Sequence, residues 1–176
     1  MADRNVFQCN PNDNDRFCVV AANCLLMDLD ASMTFDAFLE QAVQLLAIPA
    51  HAAPEQLQKA FQTREAESST VVREGIAIPH VILEGTSHAV MLLARCREGI
   101  WFSAQKEPVF ALLMLVEGYE HRYFHLQALA ALSRWAHDPD FMRTWITTPT
   151  VAELRDTLLE LHRTRCTMIQ SNIVVG

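Results

Sequence analysis

Apolar positions along this chain recur with two periods, and the switches between them divide it into elements. Behind a polar opening rich in Asn and Asp, the chain turns apolar at Cys18, and Asn23 to Leu29 reads as a strand ending at Asp30. Phe35, Phe38, Leu39, Ala42, Val43, Leu45 and Leu46 then repeat with helical spacing, with Ser32 as the expected N-cap and Asp36 suited to the first turn's dipole. Ile48-Pro49 is expected to end that helix, and Pro54 to open a second whose stripe is Leu57, Ala60 and Phe61. Ser68-Ser69-Thr70 breaks it. Val71 to Glu74 leads into Gly75-Ile76-Ala77-Ile78, read as the end of a buried strand, because Pro79 lacks the N–H a sheet ladder needs. Gly85 and Ser87 mark a turn before Ala89 to Cys96, Gly99 the next reversal, Trp101-Phe102 a short edge segment, and Val109 to Val116 another apolar strand ended by Glu117-Gly118. Helices from His121 to Ala136 and from Phe141 to Ile146 follow, and Thr150 with Glu153 forms a capping box for a last helix to Arg163.

Alternating strands and helices predict a single α/β domain, a β-sheet with helices on its faces. The length of 176 residues and the 51% hydrophobic content suit one such core. Its expected extent is residues 18–165, between a mobile leader over 1–17 and a tail over 166–176, where Ile173-Val174-Val175 either adds a strand or stays loose. A net charge of −7 with no basic run argues against nucleic acid as a partner. No run approaches the ~18 consecutive apolar residues of a membrane span, so no membrane insertion and a cytoplasmic location are expected. Cys9, Cys18, Cys24, Cys96 and Cys166, odd in number and without a Cys-x-x-Cys pair, read as reduced packing residues.

Three residues carry candidate chemistry. His80 falls on the turn expected after the strand, where Pro79 stiffens the backbone. A neutral imidazole there can attack phosphorus if a hydrogen bond to its other nitrogen fixes the tautomer. Arg64 continues the apolar stripe of the second helix and so needs a partner, either Glu65 or Glu67 nearby or an anion across the domain. His125 shares a face with Ala128, Leu129, Leu132 and Ala136 near a helix start. The dipole there favours the neutral ring, which can donate one hydrogen bond beside a welcome anion. Each also has a plainer reading, as a surface histidine, a snorkelling arginine or a core histidine. His121 and His125 stand four apart, as in zinc helices, but Arg122 occupies the place of the usual glutamate and a cation opposes a dication. Gly-x-Ser-x-Gly and glycine-rich phosphate loops are absent.

Together, Arg64-Glu65, Ser69-Thr70, Gly75-Ile76-Ala77-Ile78-Pro79-His80, and His125-Leu126 followed by Leu129-Ala130 and Leu132 resemble a known family over about Asn23 to Glu160. It comprises the enzyme IIA domains of the fructose, mannitol and nitrogen-regulatory type (type 2) in the bacterial phosphoenolpyruvate-dependent phosphotransferase system. The resemblance implies a mixed β-sheet flanked by helices on both faces. It also implies that His80 carries a phosphoryl group received from the carrier HPr and passed to an enzyme IIB, with Arg64 and His125 as the assisting residues and no metal or cofactor. The chain departs from many relatives at Val71-Val72-Arg73-Glu74, where they carry glycines and side chains here are expected to crowd the rim, and at Val81, where they often carry a small residue. Two further readings stand beside the sugar phosphocarrier: a phosphorylatable regulatory module that controls a partner protein, and a metal-dependent hydrolase built on His80, His121 and His125.

Overall fold

The structure, a computed structural model, describes residues 16–160 and 162. Along the chain it runs α1 (Arg16–Ala22), β1 (Leu25–Leu29), β2 (Met33–Thr34), α2 (Phe35–Ala50), α3 (Pro54–Glu67), β3 (Val71–Arg73), β4 (Ile76–Ala77), β5 (His80–Leu83), β6 (Val90–Trp101), β7 (Val109–Gly118), a 3-10 turn (Tyr119–His121), α4 (Arg122–Ala136) and α5 (Phe141–Thr147). A last helix, α6, covers 151–160, with Glu153 N–H donating to Thr150 Oγ1 at 3.1 Å in the expected cap.

All the strands join one mixed sheet in the order β1-β6-β7-β4-β3, with β2 added along β6 and β5 along β7. The β6–β7 and β3–β4 pairs are antiparallel and the others parallel. β6 and β7 read as unbroken apolar runs because both of their faces are covered. Leu92, Ala94, Leu112 and Met114 pack against α2 and α3, where Phe38, Leu39, Leu57 and Phe61 meet them. The alternate residues Met91, Leu93, Leu113 and Leu115 pack against the opposite layer, which includes Phe17, Ala128, Trp145 and Leu158. The fold is therefore the expected single α/β domain, a mixed sheet with helices on both faces. Among the described residues, no helix is long and apolar enough to cross a membrane.

Several local expectations are corrected. Arg16 and Phe17 belong to helix α1, and Phe17 is buried with its ring 5.3 Å from that of Trp135. The polar stretch upstream hid a short apolar face of Phe17, Cys18 and Ala21. The rest of the expected leader, and the tail over 166–176, lie outside the described residues. The N-cap of α2 is Thr34, whose Oγ1 accepts from Ala37 N–H at 3.2 Å, because Ser32 Oγ is engaged by Trp101 Nε1 at 3.0 Å. α2 also runs through Pro49 to Ala50. A proline this late in a helix forfeits one bond at an end that frays, and burial of Ala50 favours the extra turn. Termination falls to His51 at φ 53°, with His51 N–H bonded to Ile48 O and Ala52 N–H to Ala47 O. Gly99 does not reverse the chain either. It occupies a bulge inside β6 at φ 86°, where a Cβ would fall 2.5 Å from Pro108, and the strand continues to Trp101.

Candidate active site

β4 and β5 lie along the same strand, β7, in a common register, with Ile76 opposite Ala111 and His80 opposite Leu115. Pro79 interrupts the ladder by having no N–H to give, but its carbonyl still accepts from Leu115 N–H at 2.9 Å. Pairing then resumes, so His80 opens strand β5 rather than riding on a turn. This is a correction with a consequence: a nucleophile on a strand is aimed more rigidly than one on a loop.

The ring of His80 is fixed at both nitrogens. Nδ1 lies 2.7 Å from Ile78 O, and a carbonyl can only accept, so Nδ1 carries the proton. Nε2 lies 3.3 Å from both Nε and Nη2 of Arg64, and a guanidinium can only donate, so Nε2 presents its lone pair. Burial, helped by the nearby charge of Arg64 and by His125, holds the His80 imidazolium below the ordinary histidine range, against opposing contributions from the Ile78 carbonyl and Glu117. A neutral ring with its free electron pair on Nε2 results. The ring forms part of the wall of an open depression of about 660 Å³, lined by Arg64, His80, Tyr119 and His125 among others.

Arg64 stands in the last turn of α3, where Nη1 also donates to Ser68 O at 2.8 Å. Its sequence neighbour Glu65 is not its partner. Glu65 Oε2 accepts from Thr70 N–H at 2.9 Å and from the Thr70 hydroxyl, tying the end of α3 to the start of β3. Thr70 O in turn accepts from Ile78 N–H at 2.9 Å, and it is the Ile78 carbonyl that holds His80. The Arg-Glu and Ser-Thr pairs of the sequence thus act at two removes: Arg64 reaches His80 directly, while Glu65 and Thr70 fix the backbone that orients it.

His125, on the first turn of α4, brings its ring centroid to 5.5 Å from that of His80. Arg64, His80 and His125 therefore converge on one depression from α3, β5 and α4. The expectation that a neutral His125 has a hydrogen to offer an anion needs correction, because Nδ1 sits 2.8 Å from Oε2 of Glu117. The one N–H of a neutral ring is spent on that carboxylate. Glu117 was read from sequence only as the end of an apolar strand, yet it is wholly buried at the edge of the site. An acid closing an eight-residue apolar run, eight positions before a core-facing histidine, was the available signal. The side chain of His121 lies outside the described residues. Among the described residues, no three His, Cys, Asp or Glu side chains gather as metal ligands would.

The departures at Val71 to Glu74 do not crowd this depression, since none of the four lines it. They form a hairpin with β4 instead, and Arg73 Nη1 reaches the Ala136 carbonyl at the end of α4 at 3.2 Å. Val81 does contribute to the wall of the depression, while alternation along β5 turns most of its side chain into the core beside α2 and α3.

Comparison with known proteins bears out the family that the sequence resembles. Residues 20–161 match the family described as phosphoenolpyruvate-dependent sugar phosphotransferase system, EIIA 2. The chain is 33% identical over 103 residues, 58% of its own length and 67% of the relative's, to the fructose-specific EIIA component of the phosphotransferase system of Haloferax volcanii. Its fold is similar to the crystal structure of nitrogen regulatory protein IIA-Ntr from Neisseria meningitidis, with a TM-score of 0.72 at 22% identity over 80% of this chain and 97% of that one. IIA mannitol from Escherichia coli gives a TM-score of 0.61 at 21% identity over 79% and 96%. The chain belongs to the EIIA type 2 family of the phosphoenolpyruvate-dependent sugar phosphotransferase system.

Proposed function

We propose that this chain is a phosphocarrier in which Nε2 of His80 accepts a phosphoryl group from phosphorylated HPr, or a carrier like it, and passes it to an enzyme IIB during sugar uptake. The observation that carries the reading is the tautomer of His80: a half-buried, neutral imidazole with its lone pair on Nε2 toward Arg64, in the wall of an open depression. Attack by that nitrogen forms an N–P bond as the donor's own N–P bond breaks, and the electron pair of the broken bond returns to the donor nitrogen. The guanidinium then moves from Nε2 onto the phosphoryl oxygens, where its paired N–H groups match their geometry. Phosphoryl transfer of this kind asks for positioning and charge neutralisation, which Arg64, His125 and the β5 backbone supply in a cytoplasmic reaction between proteins.

The test is incubation with labelled phosphoenolpyruvate, enzyme I and HPr, using His80→Ala as control. The expected product carries one acid-labile, base-stable label that the control lacks. Label that survives acid would identify a hydroxyl ester and overturn the reading. A second reading, a regulatory module that is phosphorylated or docks on a partner without passing phosphate on, is supported by the similarity in fold to IIA-Ntr. Label that no enzyme IIB removes, together with binding to a transporter or kinase, would favour it.

A further inference from the structure

Glu117 is 0% exposed, and while its Oε2 meets His125, its Oε1 has no hydrogen-bond partner among the described residues. A carboxylate removed from water this completely is costly unless a charge or a strong donor lies against it. Among the described residues, His125 is the one group in such contact. The contact also dictates what His125 offers to the depression. With Nδ1–H donated to Glu117, a neutral ring has only a lone pair at Nε2, and a lone pair repels phosphoryl oxygens.

We propose that Glu117 is a positioning residue that makes His125 act as an imidazolium, so that arrival of a phosphoryl group on His80 is accompanied by uptake of one proton at His125 Nε2 and its departure by release of that proton. The inference rests on the reading of His80 as the phosphoryl acceptor. The proton comes from solvent, neither histidine gives one up, and the N–P bonds exchange as already described. Once protonated, His125 donates to Glu117 through Nδ1–H and to a phosphoryl oxygen through Nε2–H, a charge-assisted bond at each end. The other charged or titratable groups of the depression are Arg64, Lys59 and Glu67 from α3, His80 from β5 and Tyr119 from the 3-10 turn. Arg64 opposes a second cation beside it while the site is empty. A phosphoryl group, carrying close to two negative charges, reverses that balance.

The experiment reads the protonation of the His125 ring from its NMR signals in the full chain labelled with 15N and 13C, at neutral pH, before and after chemical phosphorylation of His80 by phosphoramidate. It is run on the wild type, Glu117→Gln, which keeps the shape and loses the charge, and Glu117→Asp, which keeps the charge. Expected are the signals of an imidazolium at His125 in phosphorylated wild type and Glu117→Asp, and of a neutral ring in phosphorylated Glu117→Gln. An imidazolium in phosphorylated Glu117→Gln would reduce Glu117 to a packing residue, and His125 signals that phosphorylation leaves unmoved in the wild type would remove the coupling. Should Glu117→Gln fail to fold, wild type is compared with Glu117→Asp, whose shorter side chain weakens the contact, and identical His125 signals in the two would overturn the proposal. No step uses HPr, so failure of labelling by HPr and failure of this experiment are separate results.

Discussion

The Ile78 carbonyl lies 2.7 Å from Nδ1 of His80, two residues further along, and so a backbone atom of one residue sets the tautomer of the other. Pro79 between them makes this possible. It fixes its own φ and restricts the residue before it, so the Ile78 carbonyl has little freedom to turn away. The same carbonyl group belongs to a residue whose N–H is held by Thr70 O. The tautomer of His80 thus depends on atoms that no substitution of its own side chain would reveal.

Because burial outweighs the acceptors around it, His80 titrates below the usual histidine value of 6.5. The neutral His80 ring should therefore persist as pH falls through that value. The sign for stability is the opposite of a stabilising pair: the unfolded chain takes up the proton first, so folding loses free energy as pH drops from 6.5 towards the lower folded value. An NMR titration should place the His80 midpoint under 6.5, and denaturant melts should show a smaller acid loss in His80→Ala than in wild type. A midpoint at or above that of free histidine would refute the account.

Arg64 contacts Nε2 of His80, the proposed phosphoryl acceptor, and is partly exposed at the end of α3. Arg64→Ala should slow phosphoryl transfer roughly a hundredfold or more, corresponding to ~2 to 4 kcal/mol of lost charge-assisted contact. Its melting curve should stay close to wild type. His80→Ala should abolish transfer. Equal transfer rates in wild type and Arg64→Ala would remove the arginine from the reaction.

Arg95 is an arginine inside a central strand, with only 2% of its surface exposed. It donates to both carboxylate oxygens of Asp28, at 2.9 and 2.6 Å, and to the carbonyls of Trp145, Thr148 and Pro149, so it links β1, β6 and the end of α5. Arg95→Ala should lower stability by ~3 to 5 kcal/mol, since it leaves these acceptors without their donor. The hydrogen bonds from Arg95 hold the Asp28 carboxyl below its usual value of 3.8. That contribution is present above 3.8 and lost as pH falls through the folded value. Urea melts at neutral and acid pH should therefore show the gap between wild type and mutant narrowing in acid.

Gly118 follows Glu117 and is required by space: a Cβ there would come within 1.8 Å of Thr86 O. Gly118→Ala should destabilise the fold by at least ~1 to 3 kcal/mol through forced backbone displacement. By shifting its neighbour, it should also disturb the Glu117–His125 contact. Thermal melts and the His125 ring resonances measure the two effects separately, and a variant as stable as wild type would show the approach to be loose.

The layer architecture was legible from the order of elements, because strands covered on both faces must be apolar throughout, as β6 and β7 are. The candidate residues were legible too, each for a local reason. Pro79 marks His80, helical register marks Arg64 against Leu57 and Phe61, and the same register marks His125 against Ala128 and Leu132. Local pattern also misled where a residue's usual effect was overridden. Pro49 failed to stop α2 because only the last turn was at stake, and Gly99 failed to turn the chain because Pro108 crowds it within a bulge.

What only the tertiary structure decided is which groups meet. By itself the chain determined a two-sided sheet and pointed to three candidate side chains, since those follow from periods of two and 3.6 residues and from the stereochemistry of proline. Pairing is a different matter. Glu65 turns to Thr70 rather than Arg64, Glu117 to His125 across the end of β7, and Arg95 to carbonyls some 50 residues away. A buried charge finds its partner through the packing of whole elements, which spacing along the sequence can at most suggest, as it does for Glu117 and His125.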